Sequence, residues 1–109
     1  NLANADSLPT GPGKSPYRRK NILFQNVLNR ELGLNLVKVK KIGVDKSEFS
    51  LRFDPSHPAA NEKGYVQTPN VKTLIEVMDM REAQRSYEAN LTAIRSARSM
   101  MKRTIDLLR

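Results

Sequence analysis

The sequence predicts an α+β chain: a long C-terminal coiled-coil-type helix over residues 70–109 beside a small antiparallel β domain. Three observations predict it. The last 40 residues contain neither Pro nor Gly and are mostly good helix formers. Two upstream stretches, around residues 37–39 and over 49–53, alternate apolar and polar side chains with the period of a half-buried strand. Apolar residues make up 39% of the 109 and aromatics 6%. That is too little for a deep core and suits a helix with a small sheet.

Residues 1–16 hold three of the six prolines and two of the five glycines among small polar residues, which predicts an extended arm. Residues 17–69 make the β domain and its loops. Within it, 17–25 opens on Arg18, Arg19 and Lys20 and ends on Ile22, Leu23 and Phe24, a strand pattern. Residues 26–34 are ambiguous, with a loop around Gly33. Over 36–44, Val37 and Val39 alternate with Lys38 and Lys40. The apolar phase slips at Lys41 and resumes at Ile42 and Val44, as a β-bulge produces. Asp45, Lys46 and Ser47 make a turn, after which Phe49, Leu51 and Phe53 alternate with Ser50 and Arg52. The expected sheet is a hairpin of these two strands, with 17–25 as a third strand. Phe49, Leu51 and Phe53 are expected to face Val71, Leu74 and Met78. Asp54, Pro55, Ser56, His57 and Pro58 break the sheet, and Tyr65 and Val66 return to it. Asn70 then reads as the helix N-cap, with Thr73 and Glu76 as a second start.

Along the helix, Met80, Ala83, Tyr87, Asn90, Ile94, Ala97, Met101, Thr104 and Leu108 form one line, and seven of the nine are apolar. Their mean spacing of about 3.5 residues is the period of a coiled-coil seam. Leu91 and Ile105 widen the seam beside Asn90 and Thr104. Arg81, Arg85, Glu88, Arg95, Ser99, Lys102 and Arg103 make a solvated opposite face. Forty residues extend roughly 60 Å, and no other stretch of the sequence supplies a helix of that length. The seam therefore predicts a partner outside these 109 residues.

Several function classes are excluded or weakened. There is no cysteine, hence no disulfide and no Cys-type zinc site. No apolar run reaches the about 18 residues of a membrane span. The first residues lack a secretory-signal pattern. Residue 1 is Asn rather than Met, and the expectation is that an N-terminal segment is missing. His57 is the only histidine. Its neighbours Asp54, Asn61 and Glu62 do not follow EF-hand spacing, so a capped turn is preferred to a metal site. Gly11 to Ser15 lacks the spacing of a phosphate loop. With no catalytic set, neither an enzyme nor a cofactor is expected. The net charge of +8 leaves two readings: a basic nucleic-acid-binding coiled-coil protein, or a basic surface on a self-associating protein. The groups Arg18, Arg19, Lys20 and Lys38, Lys40, Lys41 lack an aromatic stacking platform, which favours the second.

Asn1, Leu2, Ala3 and Asn4, with Ala5, Asp6 and Ser7, resemble the motif that follows the N-terminal helix in bacterial flagellar axial proteins. Gly64-Tyr65-Val66, Pro69-Asn70-Val71 and Arg85-Ser86-Tyr87-Glu88-Ala89-Asn90 resemble their C-terminal region. The short middle segment and the Asp54 to Pro58 loop are most similar to the proximal-rod members of the flagellar basal-body rod family. The resemblance implies a structural rod subunit, exported unfolded by the flagellar type III export apparatus and built helically into the periplasmic rod. Its partners would be other rod subunits and itself, with no nucleic acid and no membrane insertion. The implied assembly seam is Met80, Ala83, Tyr87, Asn90, Leu91, Ile94, Ala97, Met101, Ile105 and Leu108.

Overall fold

One bulge organises the larger of two sheets. In a computed structural model describing residues 1–109, strands β1 (Lys20–Asn29) and β2 (Leu34–Val44) pair antiparallel through a loop of residues 30–33. Gly33 supplies a left-handed backbone there, at φ +63°. The Asn29 side-chain oxygen accepts from the N–H groups of Glu31 and Leu32 at 3.0 and 3.2 Å, which holds the turn. Leu23 pairs with Lys41 and Phe24 with Val39, so Lys40 is the inserted residue. The phase slip in the sequence is this bulge. In a regular strand Val37 and Val39 would face away from Ile42 and Val44. With Lys40 inserted, all four share one face with Ile22, Phe24 and Leu28 of β1. All seven side chains are exposed.

The expected pairing of 36–44 with 49–53 does not form. β1 covers β2 along its whole length, and a four-residue loop closes at little entropic cost. Strand β3 (Ser50–Phe53) instead pairs antiparallel with β4 (Tyr65–Thr68). Residues 17–19 precede β1, and 26–29 continue it. The reading of Phe49, Leu51 and Phe53 as core is also corrected. Phe49 lies outside β3 with the Arg18 guanidinium 4.2 Å above its ring. Leu51 and Phe53 are exposed, as are Leu74 and Met78. Alternation reports a face, not which face is covered: the covered face of this sheet is the one that carries Val66 opposite Arg52, and Leu51 and Phe53 lie on the other. Phe53 makes an edge-to-face contact with Tyr65, ring centroids 5.4 Å apart.

The chain divides into two units, Asn1–Thr73 and Leu74–Arg109. In the first, Val66 is the one fully buried large side chain, and Pro9, Pro16 and Pro69 are buried as well. Residues 1–16 fold back through turns, starting with a short 3-10 turn at Leu2–Asn4. With so small a core, side-chain hydrogen bonds carry much of the order. Asp54 accepts from Ser56, and the His57 ring Nδ1 accepts from the Ala59 N–H at 3.0 Å. His57 is thus a turn cap. Asn61 accepts from the N–H groups of Lys63 and Tyr65. Gly64 closes the loop at φ +82°, and a Cβ there would lie 3.0 Å from the Phe53 ring and 3.1 Å from Pro55. Gly64→Ala is therefore expected to cost at least about 1–2 kcal/mol from its backbone alone, read as a lower thermal midpoint. An unchanged midpoint would show that the loop re-forms around alanine.

Asn70 is not the N-cap. The helix α1 runs Thr73–Leu107, and the Asn70 side chain is engaged elsewhere. Its oxygen accepts from the Arg19 N–H at 2.7 Å. Its amide donates to the carbonyls of Asp45 and Ser47 at 3.0 and 3.2 Å and to the Ser47 hydroxyl at 3.1 Å. Arg18 donates to the same two carbonyls. The Ser47 N–H and hydroxyl hold the Asp45 carboxyl below the usual carboxylate range, with the Arg19 guanidinium at 3.6 Å adding to the effect. Asn70 thereby ties the start of β1 to the turn after β2 and fixes where the chain leaves the β unit.

Candidate assembly surface

Over 35 residues α1 contains no breaker, which at 1.5 Å per residue gives roughly 50 Å of continuous helix. Met80, Ala83, Tyr87, Asn90, Ile94, Ala97, Met101 and Ile105 all lie within it and are all exposed, and Leu91 is half-buried. Leu108 follows the last helical residue, and its N–H still donates to the carbonyls of Thr104 and Ile105. The fifteen residues from Tyr87 to Met101 thus present an unbroken stripe, with Ile94 at its centre 58% exposed. Toward the C-terminal end, Ala97, Met100, Met101, Thr104 and Ile105 line a shallow, mostly apolar groove of about 420 Å³.

The polar members of the stripe suit a helix contact. Thr104 donates its hydroxyl to the Met100 carbonyl at 2.9 Å, the back-bond of a helical threonine. Asn90 sits at a seam position where an amide commonly fixes register. On the far side Gln84 and Glu88 share an i,i+4 hydrogen bond at 3.4 Å, as on a solvated face. Basic residues dominate the C-terminal half: residues 83–109 carry six Lys and Arg against two acids.

The exposed surface is larger than that of a globular protein of this mass. A globular protein of 12.3 kDa exposes about 6,100 Å², whereas this chain exposes 9452 Å². Twenty-five large hydrophobic side chains are exposed, more than scattered surface residues account for. They concentrate on the hairpin face and on α1.

The first four residues sit at the base of β1. The Asn1 amide donates to the Lys20 carbonyl at 2.7 Å, while its oxygen accepts from the Lys20 N–H at 2.8 Å and the Tyr17 hydroxyl at 2.9 Å. Asn4 closes the 3-10 turn by donating its N–H to the Asn1 carbonyl, and its own carbonyl accepts from Ser7. Leu2 is exposed. Asn1 and Asn4 therefore anchor the start of the chain; they do not lie in the α1 stripe. Sequence reasoning missed two features. One is the apolar hairpin face, whose signal was the phase slip at Lys40 and Lys41. The other is the Asn70 hub, for which a lone Asn after Pro gave no signal beyond capping.

No group of three or more His, Cys, Asp or Glu gathers as a metal site. No helix is long and apolar enough to cross a membrane. Residues 62–107 match the family described as flagellar basal body rod FlgEFG protein C-terminal. The whole chain is 51% identical to the flagellar basal-body rod protein FlgC of Agrobacterium fabrum, covering 78% of that protein. It is 38% identical to FlgC of Bacillus subtilis, with 98% of this chain and 81% of the relative aligned. For FlgC of Salmonella typhimurium the identity is also 38%, over 98% of this chain and 79% of the relative. The matched C-terminal segment spans β4 and all of α1, the helix that carries the stripe, and the alignment with FlgC of Agrobacterium fabrum covers the whole chain: the chain belongs to the FlgC family of flagellar basal-body rod proteins.

Proposed function

We propose that the α1 stripe is the contact through which this chain, a structural subunit of the flagellar basal-body rod, packs against helices of neighbouring subunits or of a segment ahead of Asn1. The observation that carries this reading is the exposure of an apolar line spaced at 3.5 residues along an unbroken 35-residue helix. Fully burying one such side chain is worth about 1.5–3 kcal/mol, so a seam of eight or more supplies ample driving force for assembly. The β unit adds further contacts, and load passes through many packed interfaces without a chemical step. Delivery as an unfolded chain through the flagellar type III export apparatus suits a small-core β unit that unfolds readily. The nucleic-acid alternative finds no support. The hairpin lysines Lys38 and Lys41 lie on a face with Gln25 and Asn21 and no aromatic side chain.

In isolation the 109-residue chain is expected to associate through α1 or to fray along its C-terminal half. Sedimentation and amide exchange check this. A monomer whose amides are protected through Ile105 would show that the helix needs no partner.

A further inference from the structure

We propose that Asn1 and Asn70 are a matched pair of positioning residues. Together they seat both ends of the β unit on two adjacent residues of one strand, Arg19 and Lys20, and so hold the exit toward α1 in place for assembly. The part in assembly rests on the rod reading; the seat itself does not.

The strand register explains the seat. Lys20 pairs with Val44, so Arg19 and Asp45 stand opposite each other one step further along. Such a pair ordinarily exchanges two hydrogen bonds. One is direct, from the Asp45 N–H to the Arg19 carbonyl at 2.8 Å. The return path runs through Asn70. Its oxygen accepts from the Arg19 N–H at 2.7 Å, and its amide donates to the Asp45 carbonyl at 3.0 Å. A carboxamide carries the donor and the acceptor of a peptide group, and here it is inserted into the ladder as one.

Lys20, the next residue, turns its N–H and carbonyl to the other edge of β1. There the Asn1 side chain takes both, accepting at 2.8 Å and donating at 2.7 Å, as a neighbouring strand would. The Tyr17 hydroxyl donates to the same Asn1 oxygen at 2.9 Å. Two carboxamides from opposite ends of the unit thus grip successive residues of β1 from its two edges. Loosening one frees the strand end that the other holds, so the two act as a coupled pair.

The chain has no cysteine, so spin labels at Ala3→Cys and Lys72→Cys, both exposed positions, report the distance between the two ends in the free full-length subunit. Asn1→Ala should broaden that distance and speed amide exchange at Lys20 by at least about tenfold. It should also speed exchange at Arg19 by at least about twofold, although Asn70 is untouched. Asn1→Asp keeps the acceptor but lacks the donor to the Lys20 carbonyl; it should broaden the distance too, and it stands in if Asn1→Ala fails to fold. Tyr17→Phe leaves both Lys20 bonds and should keep the narrow distance of the parent. Cells whose only copy carries Asn1→Ala or Asn1→Asp should lose most of their swimming. A narrow distance with parental exchange at Arg19 in both variants would show that the asparagines act separately and would overturn the pair. A broadened distance in cells that swim normally would overturn its part in assembly. Parent protein missing from basal bodies would instead overturn the rod reading.

Discussion

Cells whose only copy of this protein carries Ile94→Asp are expected to secrete the subunit, build no rod beyond the base and fail to swim. Ile94 stands one heptad after Tyr87 and one before Met101, at the centre of the exposed stripe. In the free chain an aspartate there faces water and costs little beyond helix propensity, so folding of the β unit is untouched. On assembly the carboxylate enters an apolar helix contact. A buried unpaired charge costs several kcal/mol, and every copy of the contact carries that cost. Arg95→Ala, on the solvated face, is expected to leave swimming near normal. Motility in soft agar and electron microscopy of basal bodies read the difference. Swimming Ile94→Asp cells beside non-swimming Arg95→Ala cells would place the seam on the wrong face.

Asn70→Ala is expected to destabilise the β unit by about 2–6 kcal/mol, from four hydrogen bonds at about 0.5–1.5 kcal/mol each. For a unit whose core holds one fully buried large side chain, that is a large share of its stability. Asn70→Asp makes the sharper comparison. It keeps the oxygen that accepts from Arg19 but sets a carboxylate oxygen against the carbonyls of Asp45 and Ser47, so a near-isosteric change should be about as damaging as Ala. Amide exchange at Arg19 and through β1 is the readout. Were Asn70→Asp to match the parent while Asn70→Ala did not, only the Arg19 bond would matter. Were both silent, the hub would carry no stability.

The long helix was legible because its evidence is local: 40 residues without a breaker and a spacing that survives any context. The bulge was legible for the same reason, since a phase slip within one strand is read without knowing its partner. Strand pairing was not. Whether residues 36–44 pair with 20–29 or with 49–53 depends on loop closure around Gly33 and on strand length, and the ambiguous polar stretch at 26–29 hid half of β1. Phe49, Leu51 and Phe53 misled because period-two alternation reports a face, while burial depends on what covers it. Asn70 misled because an Asn before a helix caps more often than it bridges two distant turns. The family motif was recognisable at Asn1 to Asn4, but the reason for Asn1, its three hydrogen bonds to Lys20 and Tyr17, required the fold.

Accessibility of the stripe before and after assembly tests the central claim most directly. Ile94→Cys and Ser99→Cys, each the only thiol in its chain, are compared by maleimide labelling of the free subunit and of isolated basal bodies. Both should label fully in the free subunit. In basal bodies Ile94→Cys should lose at least about 90% of its labelling and Ser99→Cys should retain more. Full labelling of Ile94→Cys in intact basal bodies would contradict assembly through the α1 stripe.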